Sequence, residues 1–104
     1  MQPRDQAVSP SGPQVLILHE VQAYAPWKRV FDSAATIRKA AGELSYQVLR
    51  DEANVLLIVH LSTWTSHADA RRFFESPRLE QIRQEAGVAA PRFLYLHPLE
   101  AGVL

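Results

Sequence analysis

Three short segments of this chain are apolar on both of the alternating faces that a β-strand presents. Residues 15–21 (VLILHEV), 54–61 (NVLLIVHL) and 92–97 (RFLYLH) carry aliphatic or aromatic side chains at odd and even positions alike. That is the pattern of strands covered from two sides. A chain of 104 residues has room for one domain and one core. Its helical segments suffice to cover a single face of a single sheet, so the second face must find other cover.

The intervening residues set the element order. Residues 1–14 hold three Pro, two Ser and a Gly without apolar periodicity and are expected to form a flexible tail, leaving residues 15–104 as the folded domain. After the first strand, Pro26 suits the first turn of a helix, and Trp27, Val30, Phe31, Ala34, Ile37 and Ala41 recur at three- and four-residue steps until Gly42 stops it. Residues 45–50 and 54–61 read as two strands joined by Asp51-Glu52-Ala53, a hairpin spacing. Thr65 or Ser66 is placed to cap a helix carrying Ala70, Phe73 and Phe74, with Asp69 in its first turn. Ser76-Pro77 starts a second helical piece with Leu79, Ile82 and Ala86, ended by Gly87 before the strand at 92–97. The order β-α-β-β-α-β predicts an α+β, ferredoxin-like domain with a four-stranded antiparallel sheet. Two such sheets packed face to face would gain on the order of 10 kcal/mol before association costs, so a homodimer through the free sheet face is the expected assembly. Leu57 or Ile58, whichever points outward, would sit in that contact.

Composition removes several functions. Eleven basic residues balance eleven acidic ones, which leaves no field to draw in nucleic acid or an anionic membrane. The absence of cysteine excludes disulfides, thiolate metal sites and cysteine nucleophiles, and points to a cytoplasmic address. No apolar run approaches the about 18 residues of a membrane span, and residues 1–13 lack the apolar core of a secretory signal. No phosphate-binding glycine loop, nucleophile elbow or paired-carboxylate motif is present.

The residues left to carry chemistry are few. His19 and His60 lie late in the first and third strands; with those strands taken as parallel neighbours at the sheet centre, the two imidazoles share one edge and form an acid–base candidate. The competing reading makes them structural histidines at the core edge or interface, and no spacing suggests a metal site. His97, at the far end of its strand, is expected on the opposite rim. Arg38 falls about 20° from the apolar stripe of its helix, counting 100° per residue from Trp27. It must snorkel outward, meet an internal acid, or hold an anionic ligand; Arg50 shares that ambiguity with a stronger claim to be surface. Trp27 and Trp64, near the starts of the two helical segments, join Phe31 and Phe74 as candidate walls of a pocket for a planar ligand, against the alternative of plain core packing.

Two stretches carry a resemblance. His19-Glu20-Val21-Gln22-Ala23-Tyr24-Ala25-Pro26-Trp27-Lys28, followed by Phe31-Asp32 and Gly42, and then Leu61-Ser62-Thr63-Trp64-Thr65-Ser66 with Ala70, Phe73, Ser76-Pro77, Leu79 and Ala86-Gly87-Val88, resemble the dimeric α/β-barrel superfamily, in particular its antibiotic-biosynthesis monooxygenase-like domains. The resemblance spans residues 15–99. It implies ferredoxin-like protomers whose sheets pair across a twofold, with an apolar pocket between sheet and helices. In the monooxygenase branch it also implies oxidation or rearrangement of polycyclic aromatic substrates without metal or flavin, the electron-rich substrate itself activating oxygen. Ala23 stands where the pattern often has Asp. Phe73-Phe74 occupy the region where a haem-degrading branch needs an axial His, so haem is not expected.

Two functional readings follow. One is a cofactor-independent monooxygenase- or cyclase-like enzyme for a small, aromatic molecule, with Trp27, Phe31, Trp64 and Phe74 as walls, His19 or His60 moving protons and Arg38 or Arg50 holding an anionic oxygen. The other is a non-catalytic dimeric module that binds a small hydrophobic ligand. Neither calls for a cofactor, a nucleic acid or a membrane, and a cavity faced by a histidine nitrogen distinguishes the first from a filled core.

Overall fold

The computed structural model describes residues 12–104. In chain order the elements are β1 (Gln14–Val21), α1 (Tyr24–Ser33), α2 (Ala35–Ala41), β2 (Glu43–Arg50), β3 (Leu57–Trp64), α3 (His67–Phe74), α4 (Pro77–Glu85) and β4 (Val88–Leu96). The strands form one four-stranded antiparallel sheet in the order β2-β3-β1-β4, the ferredoxin-like arrangement expected from the sequence. The expected tail falls on residues 1–14, of which 1–11 lie outside the described residues. Gln14 already opens β1, and the Pro13 carbonyl accepts a hydrogen bond from Trp64 N at 2.8 Å.

One expectation is corrected. β1 and β3 are neighbours, but antiparallel, with Ile17 opposite His60 and His19 opposite Ile58. The helical crossover makes β1 and β2 parallel, and the hairpin then reverses the chain, so β3 runs against both. His19 and His60 still meet, because residues two apart on neighbouring strands are diagonal partners on one face.

Other boundaries shift for local reasons. Asn54 belongs to the hairpin loop rather than to β3: its Oδ1 accepts from Leu56 N and its carbonyl from Leu57 N, both at 3.0 Å, which makes a side-chain-closed turn. The expected single helix after β1 is broken at Ala34, where the guanidinium of Arg38 donates to the carbonyl of Phe31. β4 starts earlier than expected and carries Pro91 within it. An edge strand whose register against β1 slips between Leu18 and Glu20 accommodates that missing N–H. The second helical segment follows the capping pattern closely, with Ser66 Oγ accepting from Asp69 N and Ser76 Oγ from Leu79 N.

Strand alternation sorts the side chains. Val15, Ile17, His19 and Val21 of β1 and Ile58, His60, Ser62 and Trp64 of β3 are buried beneath the helices. Their apolar members belong to two groups, one around Val15, Ile17, Trp64, Phe74 and Leu79, the other around Val21, Trp27, Phe31, Ile58 and Ala86. Trp64 closes its own polar account, its Nε1 donating to the buried Ser62 hydroxyl at 2.8 Å. The opposite side of the sheet carries Leu16 and Leu18, Leu57, Val59 and Leu61, with Leu49 and Leu94 from the flanking strands. Leu49 and Leu94 are exposed. Leu57 therefore faces outward and Ile58 inward. Among the described residues no helix is long and apolar enough to cross a membrane.

Gly42 is the hinge from α2 into β2. Its φ of 123° lies in the left-handed region, and a Cβ there would collide with Thr65 Oγ1, while its carbonyl accepts from Thr65 N at 2.9 Å. Gly42→Ala is expected to lower unfolding stability by about 1–3 kcal/mol, read from denaturant midpoints. A change below a few tenths would show that this approach is not constrained.

Candidate functional site

Between the two apolar groups the inner face of the sheet becomes polar. Glu43 follows Gly42 at the start of β2, and its buried carboxylate serves two partners: Oε1 accepts from Arg38 Nε at 2.7 Å and Oε2 lies 2.8 Å from His60 Nε2. All three side chains are almost fully enclosed. Arg38 reaches them from α2 by lying over the Phe31 ring, its guanidinium carbon 3.7 Å from the ring centroid, and its Nη1 donates to the Phe31 carbonyl. Of the readings open to Arg38 in the sequence, the internal ion pair is the one seen. Its charge is compensated within the fold.

His19 stands in contrast. Its ring lies 6.4 Å from that of His60, tilted by only 20°, and 5.5 Å from Trp27, yet neither of its buried nitrogens has a hydrogen-bond partner among the described residues. It is 7% exposed. Burial, reinforced by His60 and by the positive Arg83, pushes its pKa from the usual 6.5 down to about 3. At neutral pH the ring is therefore uncharged, with one nitrogen able to donate and the other to accept.

Both histidines border a small cavity of about 60 Å³, whose walls include Arg38, Trp27, Phe31 and Phe74. That volume suits about two water molecules, so a planar ring fits only after wall side chains move. Val30, Ala34 and Ile82 line both this cavity and a wide surface groove of about 800 Å³ between α1 and α4.

The structure thus gathers His19, His60, Arg38, Trp27, Phe31 and Phe74 around one space. Trp64 lies elsewhere, in the neighbouring apolar group against Phe73 and Phe74. Arg50 stacks its guanidinium over Tyr24 at 5.0 Å, away from the cavity. His97 packs against His67 on the other rim, as expected. Two residues escaped the sequence reading. Glu43 sits ahead of the strand start expected at Ser45, so no face was assigned to it; the register slip between Glu43 and Ser45 is what turns it inward. Arg83 lines the cavity from α4 and donates to the Phe74 carbonyl at 3.2 Å, a role that helical periodicity alone does not signal.

Comparison with solved structures places this architecture. SnoaB from Streptomyces nogalater, a cofactor-independent oxygenase, superposes with a TM-score of 0.70 over 88% of this chain and 97% of its own at 17% identity. Rv0793 from Mycobacterium tuberculosis gives a TM-score of 0.63 at 18% identity, covering 88% of this chain and 100% of its own. A structure described as an antibiotic biosynthesis monooxygenase gives 0.64 at 11% identity, with 84% and 98% covered. The chain therefore shares the ferredoxin-like fold of these proteins, and structures described as antibiotic biosynthesis monooxygenases are among its structural neighbours. No protein-family model matches the sequence, and no curated protein matches it.

The acid response of the fold follows from His19. Between pH 6.5 and about 3 the unfolded chain binds a proton that the folded chain refuses, so folding stability contributed by the neutral ring is lost as pH falls through that window and is unchanged above it. The full effect is on the order of 5 kcal/mol. His19→Leu is expected to flatten this part of the stability curve and to raise stability at pH 7 by about 1–3 kcal/mol, by removing unpaired buried polar atoms. Urea titrations at several pH values check both, and a variant as acid-sensitive as the parent would overturn the assignment.

Proposed function

We propose that this protein is a cofactor-independent, monooxygenase-like enzyme acting on a small aromatic molecule in the space between sheet and helices. The observation that carries this reading is His19. A buried imidazole with neither nitrogen paired among the described residues destabilises the fold, and an apolar side chain of similar volume would serve the core better. Its place in the wall of an aromatic-lined cavity gives it a use. The likeness in fold to proteins described as oxygenases supports the same class.

In this reading the substrate enters from the α1–α4 groove as Val30 and Ile82 swing aside, and its ring packs against Trp27, Phe31 and Phe74. Trp64 supports that wall from behind through its contact with Phe74. His60 accepts a proton from a ring CH2 of the substrate, and the electron-rich anion so formed reacts with dioxygen; the substrate is itself the four-electron reductant, one oxygen atom becoming the carbonyl oxygen of that carbon and the other leaving as water with the two hydrogens the carbon has lost. His19 orients the polar group. Arg38 holds Glu43 rather than the substrate.

The outer sheet face supports a homodimer. Leucines from all four strands and Val59 lie there, with Leu49 47% and Leu94 37% exposed, and pairing with a second copy is the way a ferredoxin-like sheet of this composition excludes water from them. The balanced charge and lack of cysteine agree with action in the cytoplasm.

A screen of hydroxylated polycyclic aromatics and quinols for oxygen consumption tests the activity. His60→Ala is expected to lower turnover of a substrate so found by about 10²–10⁴-fold while the fold is retained, and unchanged turnover would remove His60 from the reaction. The assembly is tested separately. The wild-type protein is expected to sediment as a dimer at micromolar concentration and Val59→Asp as a monomer; a monomeric wild type would overturn the pairing.

A further inference from the structure

The carboxylate of Glu43 faces two groups at once, and that arrangement settles the chemistry of the histidine beside it. Resting on the reading above, we propose that Glu43 is a positioning residue that fixes the proton of His60 on Nε2, leaving Nδ1 as the acceptor offered to the cavity, so that the site takes a ligand presenting an O–H or N–H group.

The argument is one of donors and acceptors. Arg38 can only donate, and its Nε occupies Oε1 at 2.7 Å. The second oxygen, 2.8 Å from His60 Nε2, belongs to a carboxylate paired with a guanidinium and offers lone pairs alone. Nε2 must therefore carry hydrogen, and in the neutral ring Nδ1 then carries a lone pair. His60 borders the cavity whereas Glu43 does not, so Glu43 acts only through the ring. The other groups facing His60 are His19 from β1, Arg38 from α2 and Tyr46 from β2, with Arg83 across the cavity beside His19. Arg38 and Glu43 compensate each other. When the ligand's X–H bond breaks, its electron pair stays on X and the proton goes to Nδ1; the imidazolium keeps Nε2–H on the carboxylate, and the proton returns by the same route.

Glu43→Gln tests this sharply. A carboxamide has one acceptor and one donor end, and Arg38 claims the acceptor, so the NH₂ must face His60. Nε2 then has to accept, and the proton moves to Nδ1. In ¹⁵N-histidine-labelled protein, NMR is expected to show His60 as the Nε2–H tautomer in the wild type and as Nδ1–H in Glu43→Gln. A wild-type Nδ1–H tautomer, or a folded Glu43→Gln with an unchanged one, overturns the proposal; if the variant fails to fold, the wild-type spectrum decides. Phenol is the ligand probe, with anisole as its O–H-blocked counterpart. Phenol is expected to bind the wild type about tenfold more tightly than anisole, a preference lost in Glu43→Gln. Equal binding of the two by the wild type overturns the ligand class, whereas a correct tautomer with no binding of either would instead overturn the enzymatic reading.

Discussion

A carboxylate held inside an apolar layer between a guanidinium and an imidazole imposes conditions on everything around it. Removing three such polar groups from water costs several kcal/mol each unless every lone pair and proton is answered, and Coulombic attraction alone rarely makes the balance favourable. Here the answers come from three elements at once: Arg38 from α2, Glu43 from β2 and His60 from β3. The break in the first helical segment is part of the same solution, because the Phe31 carbonyl accepts from Arg38 Nη1. The left-handed Gly42 is another part, since it turns the chain so tightly that the next residue points back under the helices. Such a network is a poor way to gain stability, because apolar residues of equal volume would do as well or better. Its value in the proposed function lies in fixing the proton and orientation of His60.

His19 and His60 show how one environment divides two like side chains. Their rings are neighbours on one face of the sheet, yet only His60 has an acidic partner. His19, enclosed by Trp27 and the sheet, is driven to the neutral form, while His60 Nε2 lies 2.8 Å from the Glu43 carboxylate. In the proposed function this difference in partners leaves His19 to hydrogen-bond a polar group and His60 to receive a proton.

The fold was legible in the chain because its signals are local. Proline and glycine punctuation around α1, α2 and α4, serine caps at Ser66 and Ser76, and strands apolar on both faces all act within a few residues. What was not legible depended on register. The direction of β3 relative to β1 follows from the crossover and hairpin together and not from either strand alone. Glu43 was missed because its inward orientation arises from a slip in the β2–β3 pairing, and Trp64, which reads as a pocket residue beside a helix start, is drawn instead toward Ser62, Phe73 and Phe74. Arg38 was visible as a charged residue on an apolar stripe. Its partner was five residues away in sequence, across a turn whose geometry only the folded backbone defines.

The strand β3 ties the two sides of the sheet into one device. Along it Ile58, His60 and Ser62 face the helices, while Leu57, Val59 and Leu61 face outward in strict alternation. The backbone that sets His60 against Glu43 is therefore the backbone whose opposite face is apolar, and its hydrogen bonds to β1 and β2 hold both sets of side chains in one register. A one-residue slip would exchange them, placing His60 outside and Val59 or Leu61 against a buried carboxylate, an arrangement that both the carboxylate and the outer leucines oppose. Covering the outer face with a second copy strengthens that choice, because it raises the cost of any polar residue appearing there. In the proposed dimer the partner thus need contribute no residue to the cavity in order to stabilise it; it acts by making the site-forming register of β3 the only one compatible with a dry interface.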